Sequence, residues 1–270
     1  MRGRFYFAAD TEDSTQVSSA TGSGAPGTRP EGVRDEREAA AHVREMFGLI
    51  APRYDLLNHL LSLDIDKIWR RRVARQFRST LRSPQARVLD LCCGTGDLAL
   101  AFRRAAPNGA EIVGSDFVPE MLVRARAKAE AHGANVTFVE ADALALPFGD
   151  ETFDLVSCSF GFRNLANYER GVLEIRRVLK PGGVAAILEF AEPPGKLFGG
   201  LYRFYFRRVL PRLGALISGN SSAYTYLPSS VSKFPSPEAL QSLFQKSGYG
   251  GVSFARWTGG IVTLHTGRRV

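Results

Sequence analysis

The sequence predicts an α/β protein: a doubly wound sheet of seven strands, mostly parallel, with an antiparallel C-terminal hairpin strand and an N-terminal helical cap. Three observations predict it. Beyond Pro84, short apolar runs alternate with helical stretches, a pattern that needs crossover connections and a sheet covered on both faces. The first apolar run ends in Gly94-Thr95-Gly96 and leads directly into a helical stretch, the layout of a strand–turn–helix unit. The last two runs are joined only by Thr258-Gly259-Gly260, which suits a hairpin and is too short for a crossover.

In chain order, residues 1–33 are rich in Ser, Thr, Gly and Pro and carry almost no periodic apolar pattern. Burial there could not offset the cost of ordering the backbone, so they are expected to be a disordered tail. Residues 34–270 read as one domain, of which 34–82 form the cap. Val43, Met46, Phe47 and Ile50 share a helical face, Pro52 breaks the pattern, and Leu56, Leu57, Leu60 and Leu61 follow. Strands are expected at 86–91, 111–115, 136–140, 153–158, 183–191, 251–257 and 261–267, with helices near 97–106, 119–132, 167–179 and 237–247. Lys180-Pro181-Gly182-Gly183 is read as the breaker that ends the third of these helices. Residues 197–230 are read as an insertion that opens with Leu, Tyr, Phe and Arg.

The 270 residues suffice for a sizeable core, and 44% hydrophobic with 23% charged residues is ordinary for a globular chain. Cys92, Cys93 and Cys158 make no CxxC pair, which suits a reduced, cytoplasmic setting. His42, His59, His132 and His265 match no metal-ligand spacing, so no metal site is expected. No apolar run approaches the roughly 18 residues needed to span a bilayer. The charge of +8 is concentrated: residues 67–82 hold seven Lys and Arg, residues 196–212 hold five, and neither block has an acid. Such blocks suit nucleic acid, anionic lipid or water alone.

The chemistry centres on the turn. Gly94 and Gly96 let backbone approach a ligand closely, and the helix behind them points free N–H groups at it. Asp116 closes the next apolar run, 22 residues past Gly94, where a carboxylate can accept hydrogen bonds from ribose hydroxyls. Asp90 sits under the turn and Asp142 ends the third strand, placed to read an adenine edge. The alternatives are a carboxylate bonded only to backbone N–H groups for Asp90 and an exposed turn acid for Asp142. An adenosine-containing cofactor follows. A nicotinamide dinucleotide would suit Gly94, Gly96 and Asp116 almost equally well, making an oxidoreductase the main enzymatic rival. The terminal hairpin is more typical of enzymes that use S-adenosylmethionine.

Longer segments carry a closer likeness. Met46-Phe47-Gly48-Leu49-Ile50-Ala51-Pro52-Arg53-Tyr54-Asp55-Leu56-Leu57-Asn58, the Gly94 turn, Ser159-Phe160-Gly161-Phe162-Arg163-Asn164, Arg177-Val178-Leu179-Lys180-Pro181-Gly182-Gly183 and Thr258-Gly259-Gly260-Ile261-Val262 closely resemble the menaquinone and ubiquinone biosynthesis C-methyltransferases, over about residues 43–268. The resemblance implies a Rossmann-like fold, S-adenosylmethionine as cofactor, and methylation of a ring carbon of a polyprenylated hydroquinone. Demethylmenaquinol is the expected acceptor and a methoxy-benzoquinol of ubiquinone biosynthesis the alternative. Carried over by position, it implies Thr95, Asp116, Asp142, Ala143 and Ser159 as cofactor contacts beside Asp90, Gly94 and Gly96. The sequence departs from the family pattern in its long tail, its Cys92-Cys93 pair and Asn220-Ser221-Ser222.

For catalysis the expected residues are Arg163, as a cation favouring the ionised phenol, with Asn164 and Tyr54 hydrogen-bonding the quinol oxygens. A salt bridge pinning the loop is the alternative for Arg163, and a core tyrosine for Tyr54. The acceptor's polyprenyl chain places it in a membrane. Residues 197–212, aromatics interleaved with arginines, are open to three readings: peripheral contact with the inner face of the cell membrane, a roof over the acceptor, or a homodimer contact. A role on RNA is disfavoured because neither basic block carries a nucleic-acid motif.

Overall fold

The computed structural model describes residues 27–28, 30, 32–55, 62, 64–195, 199–200 and 222–270. The tail expected over 1–33 thus lies outside the described residues up to 26. So do Lys196, the stretch 201–221 that holds most of the aromatic-arginine segment, and Asn220-Ser221.

Among the described residues, seven strands form one sheet in the order β3-β2-β1-β4-β5-β7-β6. They are β1 Arg87–Leu91, β2 Glu111–Asp116, β3 Thr137–Glu140, β4 Phe153–Ser159, β5 Leu179–Phe190, β6 Tyr249–Trp257 and β7 Val262–Arg269. The first five run parallel, as their crossover connections demand, and β7 is antiparallel to both β5 and β6. The hairpin therefore inserts its second strand next to β5 and leaves β6 at the edge.

The cap is α1 Glu36–Ile50, a 3-10 turn Ala51–Arg53, α2 Ile65–Gln76 and α3 Arg78–Arg82. Asp35 starts α1 by accepting the Glu38 backbone N–H. The crossover helices are α4 Asp97–Ala105, α5 Pro119–Ala131 and α6 Tyr168–Val178, followed by α7 Ser222–Lys233 and α8 Pro237–Lys246. Alternate strand residues face opposite layers. Val88, Ala186 and Leu188 pack with Val73, Phe102 and Leu122 on one face, whereas Leu89, Leu91, Ala185 and Ile187 pack with Val172, Ile175 and Phe244 on the other.

The Pro-Gly-Gly segment corrects one expectation. α6 ends at Val178, and Leu179 already pairs with Phe153, so Lys180-Pro181-Gly182-Gly183 lies inside β5 as a bulge before pairing resumes at Leu155–Val184. Gly182 takes φ +77°, and the missing proline N–H is tolerated because the ladder is broken there.

The strand order reverses between β1 and β4. In sheets of this kind the crevice beyond the carboxyl ends of those two strands is where ligands bind. Gly94 follows β1, and Ser159-Phe160 closes β4, so both sequence motifs meet there.

Candidate active site

Asp90 lies in β1 between Gly114 of β2 and Ser157 of β4 and is 1% exposed. Its Oδ2 accepts the Ala99 N–H at 2.9 Å, in the first turn of α4. Gly96 precedes that helix without a side-chain cap, so Asp90 satisfies one of its free N–H groups from below. The other oxygen, Oδ1, has no hydrogen-bond partner. Burial pushes this carboxyl up to about 8, the Ala99 N–H and Arg70 opposing the shift.

Asp116 ends β2 and closes the turn from the other side. Its Oδ2 accepts the Gly94 N–H at 2.8 Å and its Oδ1 the Val118 N–H at 3.0 Å. Burial raises it to about 6, against those backbone donors. Gly94 and Gly96 take φ +54° and +81°, the left-handed region in which glycine is unpenalised. At Gly96 a Cβ would also come 3.0 Å from the Phe138 ring.

Thr95 is buried. Its hydroxyl donates to Asp55 Oδ1 at 2.5 Å and accepts from Lys128 Nζ at 2.9 Å. Lys128 also reaches Asp97 at 2.6 Å and Asp55 at 2.8 Å, tying α5, the turn and the cap together. Asp142 is exposed and accepts the Leu144 N–H at 2.9 Å, an Asx turn at the cavity rim, with buried Ala143 beside it. Both alternatives raised for these two acids are therefore partly realised: Asp90 has a backbone donor, Asp142 is a turn acid, and each nonetheless lines the cavity.

On the far side, Phe160 adopts φ +62°, which swings the chain away from β4 into a 3-10 turn, Phe162–Asn164. Asn164 lines the cavity, and its Oδ1 accepts the Tyr226 hydroxyl at 3.1 Å. Tyr54 lines it too, half-buried, its ring edge-on to Phe47 at 6.0 Å. Arg163 differs from expectation. It is 6% exposed, is absent from the cavity wall, and places Nη1 3.1 Å from both carboxylate oxygens of Glu189, which is itself fully buried. Nη1 also donates to the Phe160 carbonyl. Burial is the largest single influence and works against its charge, but Glu189, Tyr54 and Tyr226 together outweigh it and hold the guanidinium above its ordinary pKa. The cation expected to face the acceptor is thus neutralised within the fold, and the loop-pinning alternative describes what is seen.

The cavity is a cleft at the switch point, partly open to solvent. Its wall carries polar groups, Asp90, the Gly94 turn, Asp116 and Asp142, and apolar and aromatic ones, Phe47, Tyr54, Met121 and Phe160. Ser159 Oγ, like Asp90 Oδ1, is a buried polar atom of the wall without a hydrogen-bond partner. Unsatisfied groups of this kind are rare in native proteins and suit a polar ligand, so the wall fits S-adenosylmethionine.

Two residues escaped the sequence reading, Arg70 in the cavity wall and Lys128 behind the turn. Arg70, counted among the exposed basic block, is buried; it pairs with Asp66, lies 3.7 Å from Asp97, and stands 5.5 Å from the Phe160 ring centre. The i,i+4 spacing from Asp66 was the available signal. Lys128 gave none, because its partners come from other elements. The remaining arginines of that block, Arg71, Arg72, Arg75, Arg78 and Arg82, are exposed. Among the described residues no helix is long and apolar enough to cross a membrane.

A solved S-adenosylmethionine-dependent methyltransferase from Thermotoga maritima, described as a possible histamine N-methyltransferase, superposes with a TM-score of 0.59 at 16% identity. The match covers 84% of this chain and 99% of that one, a likeness of fold. The demethylmenaquinone methyltransferase of Thermus thermophilus is 54% identical over 224 residues, 83% of this chain and all of the relative. A ubiquinone/menaquinone biosynthesis C-methyltransferase of a Geobacter species is 43% identical over 86% of this chain and 98% of its own length. The sequence pattern of one family matches residues 33–269, nearly the whole region that builds the sheet and the cavity, and the chain accordingly belongs to the ubiE/COQ5 methyltransferase family.

Proposed function

We propose that this protein methylates a ring carbon of a polyprenylated hydroquinone, converting demethylmenaquinol to menaquinol. The observation that carries the reading is one cavity at the β1–β4 switch point whose wall holds both the polar groups of the turn, Asp90 and Asp116 among them, and Tyr54 and Asn164. The names of the close relatives supply the acceptor class.

S-adenosylmethionine, when bound, supplies a methyl group already activated on a sulfonium. Asp90, the Gly94 turn, Asp116, Asp142 and Ser159 hold it, and Ala143 and Thr95 shape the wall around it. What remains for the protein is alignment and exclusion of water. Phe47, Tyr54 and Phe160 flank the space for a flat ring. Asn164 directs its carbonyl at Tyr226, which leaves its amide N–H groups for a quinol oxygen, and the Tyr54 hydroxyl serves the same purpose. Arg163 acts from behind, holding the Phe160–Asn164 loop through Glu189 and the Phe160 carbonyl.

The acceptor's chain requires access to a membrane. The aromatic-arginine sequence of 197–212 suits the headgroup boundary. Flotation with liposomes containing anionic lipid tests this, and absence of binding rejects it. The acceptor itself is tested by incubating purified protein with labelled S-adenosylmethionine and each demethylated quinol. Methyl transfer to the naphthoquinol is expected; transfer only to the methoxy-benzoquinol selects the ubiquinone reaction, and transfer to neither overturns the reading.

A further inference from the structure

Gly27 and Thr28 precede the region that the family pattern matches, yet they touch the cavity wall. Thr28 is 5% exposed, and its backbone N–H donates to the Leu165 carbonyl at 2.7 Å. Gly27 lies so close to the same loop that an added Cβ would come within 2.0 Å of the Ala166 carbonyl group. Asn164, Leu165 and Ala166 all line the cavity. A few residues on, Glu36 of α1 binds the Asn167 amide at 2.9 Å and Arg170 at 3.1 Å, fastening the chain to the far end of that loop.

The side-chain contacts run in one direction. The Thr28 and Tyr226 hydroxyls are 3.1 Å apart, and Tyr226 donates its single proton to Asn164 Oδ1 at 3.1 Å. With that proton committed, Thr28 is the donor of the first bond. A Thr28→Tyr226→Asn164 relay forces the Asn164 carbonyl toward Tyr226, and therefore its amide N–H groups toward the cavity. Each bond polarises the next, and Tyr226 is largely withdrawn from water.

We propose that Gly27-Thr28 is a strap that positions the acceptor: Thr28, through Tyr226, sets the orientation in which Asn164 presents its amide to the hydroquinone. The inference rests on the assignment of Asn164 to the acceptor side. Thr28 is a positioning residue and touches neither substrate.

The test compares Thr28→Val, Thr28→Ser, Tyr226→Phe and the Thr28→Val/Tyr226→Phe double variant in the full chain. Thr28→Val is nearly isosteric but cannot donate. It should lower kcat/KM for the demethylated naphthoquinol about 10-fold, the scale of one oriented hydrogen bond, with S-adenosylhomocysteine affinity unchanged. Thr28→Ser should recover most of the loss, and the double variant should be no worse than Tyr226→Phe, because one relay is cut in either case. An unchanged kcat/KM in Thr28→Val, no recovery in Thr28→Ser, or a parallel fall in S-adenosylhomocysteine affinity overturns the proposal. Amide hydrogen exchange at residues 162–167 keeps the outcome separate from the acceptor's identity. Faster exchange in Thr28→Val but not in Thr28→Ser is expected even if the parent methylates some other ring. Unchanged exchange rejects the strap, whereas a parent inactive on every hydroquinone rejects the functional reading.

Discussion

Arg163 and Glu189 form an ion pair at 3.1 Å in which the arginine is 6% exposed and the glutamate not at all. The pair joins the turn after β4 to the end of β5. Breaking one side of such a pair strands the other charge in the interior. Arg163→Ala should therefore lose about 3–5 kcal/mol of stability, and Arg163→Met combined with Glu189→Leu should regain most of it. Urea unfolding of the three proteins checks this. An Arg163→Ala protein as stable as the parent would show that the loop is held by something else.

Asp90 and Asp116 make the stability of the cofactor-free protein depend on pH. Each has a folded pKa above its ordinary 3.8, at about 8 and about 6. Between those limits each is protonated when folded and ionised when unfolded. Unfolding then releases protons, so stability is greatest below about pH 4 as far as these two groups are concerned. It declines as pH rises, to about 6 through both and on to about 8 through Asp90 alone. One group contributes a slope of at most about 1.4 kcal/mol per pH unit. Asp90→Asn keeps an acceptor for the Ala99 N–H and should flatten the curve between pH 6 and 8. Denaturation midpoints across that range decide it, and an unaltered slope would remove Asp90 as the source.

The two glycines of the turn should fail in different ways. Gly96→Ala drives a Cβ to 3.0 Å from the Phe138 ring and 3.2 Å from Ala125, so it should destabilise the fold by more than the roughly 1–2 kcal/mol of left-handed backbone strain alone. At Gly94 the nearest atom is Tyr54 Cε1 at 3.7 Å, leaving room for a methyl group. That methyl would stand between the turn and Tyr54, within the ligand's space. Thermal melts should show the larger drop for Gly96→Ala. The stabilisation by S-adenosylhomocysteine should be largely lost in Gly94→Ala.

Lys128 holds the turn through Thr95, Asp97 and Asp55. Lys128→Met would leave Asp97 and Asp55 without their shared cation and release the Thr95 hydroxyl. Calorimetric affinity for S-adenosylhomocysteine should fall about tenfold, equivalent to about 1.4 kcal/mol, with the sheet intact by circular dichroism. An affinity equal to the parent's would confine Lys128 to the surface.

The strands were legible because a buried parallel strand is a continuous apolar run, and each run here is bounded by turn residues. The nucleotide turn was legible because Gly94 follows the first of those runs; Ser159 came only with the family resemblance, and the pairing of β1 with β4 that sets the two side by side came from the structure. Arg163 was not legible. Its partner, Glu189, is 26 residues away on another strand, and sequence alone cannot say whether an arginine in a loop meets a substrate or a carboxylate. Arg70 stood in a run of arginines, marked only by its i,i+4 spacing from Asp66, until α2 packed against α4 and buried it.

By itself the sequence determined the α/β class, the helical cap, the nucleotide turn with its two acids, and the family, all properties carried by local periodicity or contiguous motifs. Only the tertiary structure decided how charges are spent. It paired Arg163 with Glu189, left one oxygen of Asp90 unpartnered in the wall, gathered three groups around Lys128, and brought Thr28 to Tyr226 across 198 positions. The physical reason is range. Backbone propensity and burial are read from neighbours in the chain, whereas desolvation and hydrogen bonding depend on which distant groups share the same few ångströms.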